Sequence, residues 1–490
     1  MTRTSRRTRL FLALAVAPLL AAGCSVGPNY VRPDAPTSDT FKELGGWRTA
    51  QPRDDTLRAP WWELYDDPVL AGLAEEVAVA NQNLAAAEAR FRQARTLVWQ
   101  ARSNWFPTVV AGVSFARSRV SATLRGGQGF GTGTISSDYT LPGSISWELD
   151  LWGKIRRQVE SETAAAQSSA ADLANTRLSL QAELAVDYFQ LRTLDADIRL
   201  LEETARSYER SLQLTENRHA NGIASGADIA QAQTQLESTR AQAIDFGVQR
   251  AALEHAIAVL IGKPPADFSI QPAELAAEPP VVPVGLPSDL LERRPDVATA
   301  ERNMASANAQ IGVAVSAYYP TVTLSGSGGF ESGDVAKWLM WPSRFWSAGP
   351  SVSETVYDAG RRSAQTAQTR AAYDETVDTY RQTVLGAFQQ VEDQLAALLI
   401  LEEESEVQAR AVKAAQDSVR LTTSQYEGGI VSYLNVVVVN AAALSNERTA
   451  VDIQGRRLAA SVQLVQALGG GWSAGELPTS SDLAAGRPQW

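Results

Sequence analysis

The stretch S-I-S-W-E-L-D-L-W-G, Ser144 to Gly153, alternates small polar with apolar residues and then stops alternating; 68 residues then pass before the next Gly or Pro. The same layout returns at Ser351 to Gly360 as S-V-S-E-T-V-Y-D-A-G, 207 residues later. Alternation of period two is a strand signal, and a long stretch free of breakers is a helix signal. A chain that changes from strand to very long helix twice, at matched points, is built from an internal repeat.

Further echoes extend the repeat in both directions. A-R-S-N-W-F-P at 101–107 faces A-V-S-A-Y-Y-P at 314–320, and N-R-H-A-N-G-I-A-S at 217–225 faces S-Q-Y-E-G-G-I-V-S at 424–432. Gly153 to Gly360 and Gly222 to Gly429 are both 207 residues apart, whereas Pro107 to Pro320 is 213. The difference lies in a loop between the proline and the first matched glycine.

Each copy reads in one order. A helical segment, about 69–105 or 290–318, ends at an aromatic-Pro step, because the residue before proline is pushed out of the helical region. Strands follow at about 108–120 and 137–150, then at about 321–330 and 346–357, with one apolar and one small polar face. Between them G-G-Q-G-F-G-T-G at 126–133 and the Gly, Trp and Pro-containing stretch at 328–343 read as hairpin loops. The rods after Gly153 and Gly360 carry apolar residues at a 3.5-residue period, clearest at Leu191, Leu194, Ile198, Leu201, Ala205, Tyr208 and Leu212, which implies coiled-coil-like packing. At ~1.5 Å per residue each spans roughly 100 Å. The remaining helices, 69–105 with 226–262 and 290–318 with 432–468, stack end to end to the same reach. The expected arrangement is two rods and two end-to-end pairs side by side, strands at one end and helical turns at the other.

The first 23 residues, with Arg3, Arg6, Arg7 and Arg9 ahead of a short apolar run, have the form of an export signal. Cys24, the one cysteine of the chain, follows Leu20, Ala21, Ala22 and Gly23 in a segment that resembles a bacterial lipobox, although Ala21 stands where Leu is commoner. That resemblance implies acylation of Cys24, and Ser25 lacks the acid that favours inner-membrane retention; an ordinary signal with an incidental cysteine is the alternative. Loss of residues 1–23 removes four of the 44 basic residues and none of the 55 acids, leaving a net charge of −15. No basic stripe for nucleic acid is present. No later segment approaches 18 uninterrupted apolar residues, so a membrane protein of this composition has to be a barrel. Four strands do not close one alone, so copies of other subunits are required, in multiples of four.

C-S-V-G-P-N-Y-V-R-P at 24–33, W-W-E-L-Y-D-D-P-V-L at 61–70, G-L-P-S-D-L-L-E-R-R-P-D-V-A-T-A-E-R at 285–302 running on to I-G-V-A-V-S-A-Y-Y-P, and A-L-G-G-G-W at 467–472 occur in that order. With these motifs the mature chain resembles the TolC-like outer-membrane factor family, in its lipoprotein branch serving resistance-nodulation-division efflux pumps. The resemblance implies an α+β membrane protein: a homotrimer whose twelve strands form an outer-membrane barrel continued by a helical tunnel in the periplasm. It implies a periplasmic adaptor and an inner-membrane pump as partners, export of drugs or other small molecules, no cofactor and no catalysis. The chain then divides into a signal (1–23), a lipidated extended segment (24–68), a first repeat (69–262), a linker (263–289), a second repeat (290–468) and a tail (469–490).

The same resemblance assigns adaptor docking to the turns at Asn221, Gly222, Ile223 and Ser225 and at Gly428, Gly429, Ile430 and Ser432. Relatives carry an acid after the second turn; here Gly428 to Leu444 has none, and Val438 lies about where it is expected. Leu434, Asn435, Val436 and Val438 are therefore the expected gate, an apolar constriction that closes by dewetting, with Asp228 supplying charge nearby. Packing of these valines between helices is the alternative. Gly153, Gly360, Pro107 and Pro320 are the expected strand-to-helix bends. His219 and His255 stand apart from cysteines and paired carboxylates, so a metal site is not expected. Trp338, Trp341 and Trp346 suit either an interfacial aromatic girdle or core packing. A coiled-coil structural or adaptor protein is opposed by the alternating strands, and a hydrolase by the lack of any nucleophile-base constellation.

Overall fold

A computed structural model describes residues 25–38, 40–43, 60–119, 135–280, 282 and 290–485. The expected signal, Cys24 and the glycine-rich loop at 126–133 lie outside these residues. The elements in chain order are α1 (Pro68–Ala80), α2 (Gln82–Ser103), β1 (Thr108–Ala111), β2 (Ser114–Arg119), β3 (Ile135–Glu148), α3 (Lys154–Ala220) and α4 (Gly226–Leu260). After them come α5 (Leu290–Arg293), α6 (Pro295–Ser316), β4 (Thr321–Ser332), β5 (Arg344–Ser353), α7 (Arg361–Glu427), α8 (Tyr433–Ala467) and a C-terminal turn, α9 (Ser480–Ala484).

Both α3 and α7 have 67 residues, and both α4 and α8 have 35. Each rod begins on a glycine in the left-handed region, Gly153 at φ 79° and Gly360 at φ 88°, where an L side chain is disfavoured. An aspartate next to each bend receives the first free amides of the rod. Asp150 accepts from the Ile155 and Arg156 N–H groups at 2.9 and 3.0 Å, and Asp358 from Gly360 and Arg362 at 3.1 and 3.2 Å. Orphan amides at a helix start need such partners.

α2 and α4 pack on α3, while α6 and α8 lie against both α3 and α7. The shorter helices meet end to end. At one junction Asn81 accepts from Asn83 and Leu84 N–H and donates its Nδ2 to the Leu260 carbonyl at 2.7 Å. At the other, Arg294 donates to the Ala467 carbonyl at 2.8 Å, to Gln390, and to Asp296 at 2.6 Å. The helices expected to run unbroken over 69–105 and 290–318 are interrupted, at Asn81, whose side chain caps α2, and at Arg294, which is held extended ahead of Pro295. The main core gathers beside these junctions, with Trp61, Leu70, Tyr188, Phe189, Ile257 and Leu458 all buried. Each such side chain contributes about 1.5–3 kcal/mol on burial. One stretch of α7 is long and apolar enough by composition to cross a bilayer. Its Val384, Val391, Leu395 and Leu398 are instead buried against neighbouring helices.

The strands form one antiparallel sheet in which β1 and β2 both pair with β3, β3 with β4, and β4 with β5. Register continues without slip across Gly112 and Val113, so β1 and β2 are one strand in effect. β4 runs through Gly328 and Gly329, residues expected in a loop. A Cβ on Gly329 would lie 2.0 Å from the Leu141 carbonyl oxygen, so glycine here reflects close approach of β3. Trp341 and Trp346 are exposed and do not pack in a core, while Trp338 lies on Tyr139 with ring centroids 5.9 Å apart. At the helical end of the sheet Trp152 stacks on Tyr319 and donates to the Pro320 carbonyl at 2.8 Å, and Trp147 donates to the Trp105 carbonyl at 3.0 Å. Pro107 and Pro320 immediately precede β1 and β4.

Residues 25–38 descend from this boundary as a strap. Val26 N–H donates to the Trp152 carbonyl, buried Arg157 donates to Val26, Gly27 and Asn29, Tyr30 donates to Glu301 at 2.6 Å, and Arg32 donates to the Tyr380 hydroxyl. Burial and the Glu301 carboxylate push the Tyr30 phenol well above its ordinary range.

Candidate functional site

The two tips at the far end of the rods are copies of one turn. Gly222 and Gly429 adopt φ 73° and 75°, and their N–H groups donate to the His219 and Tyr426 carbonyls. Ile223 and Ile430 then donate to the Arg218 and Gln425 carbonyls, each at 2.9 Å. This pair of bonds is the Schellman arrangement that closes a helix on a left-handed glycine. Gly428, in the ordinary helical region at φ −74°, does not need to be glycine. Ile223 and Ile430 are 66% and 76% exposed, so each tip presents an apolar knob to solvent.

The tips differ at the start of the returning helix. Ser225 and Asp228 form a reciprocal capping box: the Asp228 carboxylate accepts from Ser225 N–H at 2.9 Å and from its hydroxyl at 2.8 Å, and Asp228 N–H donates to Ser225 Oγ. The equivalent of Asp228, 207 residues on, is Asn435. Ser432 makes no capping bond, and Asn435 donates to its Oγ at 3.3 Å. The acid of the first repeat therefore has a helix-capping job, and the second tip lacks that cap.

Beyond the second tip the expected gate residues separate. Val436 is 3% exposed and packs with Ala232, Tyr426 and Tyr433, so it belongs between helices and does not line an opening. Leu434 and Val438, one turn apart, are 53% and 59% exposed on the other face of α8, and Asn435 is exposed beside them. Burial, with the Tyr208 and Tyr426 phenols nearby, pushes the Tyr433 phenol up to about 12.

Arg218 was not among the expected site residues, yet it ties the tips together. It donates to the Tyr426 and Glu427 carbonyls at 2.8 and 3.3 Å, and its guanidinium lies 4.6 Å from the Tyr426 ring centroid. A cation at the C-terminal end of α7 also suits the helix dipole. The signal available was a basic residue four before the tip glycine Gly222, a weak one. His219 is paired locally with the Ala224 carbonyl at 2.8 Å, and His255 is exposed on α4. Among the described residues no three His, Cys, Asp or Glu side chains are grouped to hold a metal.

Two helical rods of about 100 Å are joined to one antiparallel sheet with an apolar and a polar face. The outer membrane efflux protein family matches residues 73–263 and 286–470. The chain belongs to the outer membrane efflux protein family. Among its relatives is a probable efflux pump outer membrane protein, TtgC of Pseudomonas putida KT2440, 32% identical over 469 residues, 95% of this chain and 96% of that one. The pyoverdine export outer membrane protein OpmQ of Pseudomonas aeruginosa PAO1 is 30% identical, over 94% of this chain and 97% of its own. The solved outer-membrane channel OprN superposes with a TM-score of 0.85 at 30% identity, covering 92% of this chain and all of that one. This outer membrane efflux protein is thus an α+β efflux channel of the outer membrane.

Proposed function

We propose that this chain is the exit duct of a tripartite efflux system, a homotrimer that passively conducts drugs or other small molecules delivered by a periplasmic adaptor and an inner-membrane pump of the resistance-nodulation-division type. The observation that carries this reading is the sheet: both edges, β1/β2 and β5, lack a partner among the described residues, and lipid does not tolerate open edges. Three copies joined edge to edge give twelve strands. Ile223 and Ile430 are the adaptor contacts, since matched apolar knobs at the tips favour a partner. Ser25, the first described residue, lies against Gly153 at the strand-to-helix boundary, where a Cβ would meet its Cα at 2.9 Å, and this favours acylation of Cys24 as a lipid anchor. The exported compound is set by the pump.

The test of assembly is heat-modifiable migration. Unheated detergent extracts run as a trimer and boiled ones as a 52.7 kDa chain, less its signal; a soluble monomeric rod would overturn the reading. The gate is Leu434 and Val438, facing the axis and closing by dewetting. Leu434→Asp and Val438→Asp are each expected to raise the closed-state leak conductance severalfold, because one carboxylate per subunit rewets an apolar ring. Unchanged leak in both variants would remove these residues from the gate.

A further inference from the structure

Strand register sorts the charges of the sheet. Phe115 faces Tyr139, Leu141 faces Phe330, Trp147 faces Leu324, and Val322 faces Val352, which places these apolar side chains on one face. Continuing the same register, Arg117 faces Ser137, Arg119 faces Ile135, and Arg344 faces Phe330, so all three strand arginines share that apolar face. The strand acids Asp138, Glu148 and Glu331 fall on the opposite face, with Thr140, Ser144 and Ser327. A cation among apolar residues costs free energy unless an anion meets it.

The height of the arginines says which anion. Arg117 lies nine residues from the helical end of its strand at Thr108, and Arg344 nine from Ser353. At ~3.3 Å per residue and a tilt of ~40°, both stand roughly 23 Å above the strand bases, and Arg119 roughly 28 Å. The apolar band of an outer-membrane barrel is ~25 Å tall, so the three reach its extracellular border. Below them Phe115, Tyr139 and Trp346 form the aromatic level expected at an interface. The Arg344 guanidinium carbon lies 3.9 Å from the Trp341 ring centroid.

We propose that Arg117, Arg119 and Arg344 form a binding surface for phosphate-bearing lipid headgroups of the extracellular leaflet, continuous with the lipid-facing wall of the barrel. Guanidinium forks match phosphate oxygens in paired hydrogen bonds, and the segregation of acids to the lumen keeps the approach free of repulsion. The inference rests on the outer-membrane barrel reading above.

The test compares trimers of the wild type with the variant Arg117→Gln/Arg119→Gln/Arg344→Gln, titrated with bisphosphorylated lipid A and with its dephosphorylated form and read as lipid bound per trimer by native mass spectrometry. Retention of the phosphorylated lipid should fall by on the order of tenfold in the variant, while the dephosphorylated form binds both proteins alike. Equal retention by intact trimers overturns the arginine surface and leaves the channel reading standing; absence of heat-modifiable wild-type trimers overturns both. Should the triple variant assemble poorly, Arg117→Gln/Arg119→Gln, which leaves the Arg344 stack in place, must show the same loss, and Asp138→Asn/Glu331→Gln must not.

Discussion

Replacing Asp195 by alanine is expected to cost about 3–5 kcal/mol of stability, the penalty for stranding buried charges whose partner is gone. The Asp195 carboxylate on α3 is buried and accepts from Arg192 Nη1 at 3.0 Å, from Arg250 Nε on α4 at 2.6 Å, and from the Ala273 backbone N–H at 3.2 Å. The same two arginines donate to the Gln271 and Ile270 carbonyls at 2.8 and 2.6 Å, so one carboxylate joins a rod, its returning helix and the linker. Alanine would leave Arg192 without its anion, Arg250 with Glu254 alone at 2.9 Å, and the Ala273 amide without its acceptor. Asp195→Asn, which keeps the size and one acceptor but no charge, should fall between alanine and wild type. Thermal inactivation midpoints and hydrogen exchange at 270–273 check this. Deprotection of the linker is the specific signature, and an alanine variant within about 1 kcal/mol of wild type would contradict the network's role.

Gly469→Ala is expected to be the most damaging glycine substitution at the helix junctions. Gly469 follows the C-terminus of α8 at φ 94°, and a Cβ there would lie 2.0 Å from the Arg293 carbonyl oxygen. The backbone conformation alone costs an L residue on the order of 1–2 kcal/mol. The clash adds to that, because the blocking atom is main chain and relief means moving α5 and α6 away from α8 together with the Arg294 bonds. Gly470→Ala meets the end of the Leu178 side chain instead, which can rotate, so its loss should be smaller. Gly428→Ala, in the helical region with its nearest contact at 3.4 Å, should be neutral or slightly stabilising. Trimer yield and inactivation temperature across the three variants give the ranking; equal effects would refute it.

Much of this architecture was legible in the chain itself. The 207-residue offset, the breaker-free rods and the alternating strands are local signals, since period and glycine placement act on the residues that carry them. The rods begin one residue after Gly153 and Gly360. The break at Arg294 is marked in the sequence by Pro295, which pushes the residue before it out of the helical region; Asn81 was not legible as a break, because helix propensity on either side is unbroken and the junction is fixed by a carbonyl from far along the chain, Leu260. Gly328-Gly329 read as a loop for the same reason: a glycine required by a neighbouring strand looks like one required by a turn.

At the tips the division is sharper. The matched glycines and the missing acid near Val438 are properties of the sequence alone, and so is the pairing of Asp228 with Asn435 across the repeat. Only the tertiary structure separates Val436 from Val438. Two residues apart on a helix they point about 200° apart, and packing of Tyr433 and Ala232 decides which valine is buried. The charges of the sheet follow the same rule. Sequence sets their parity along each strand, but a face acquires a meaning only when hydrogen-bonded register aligns one strand's parity with the next, a long-range choice made by the whole sheet.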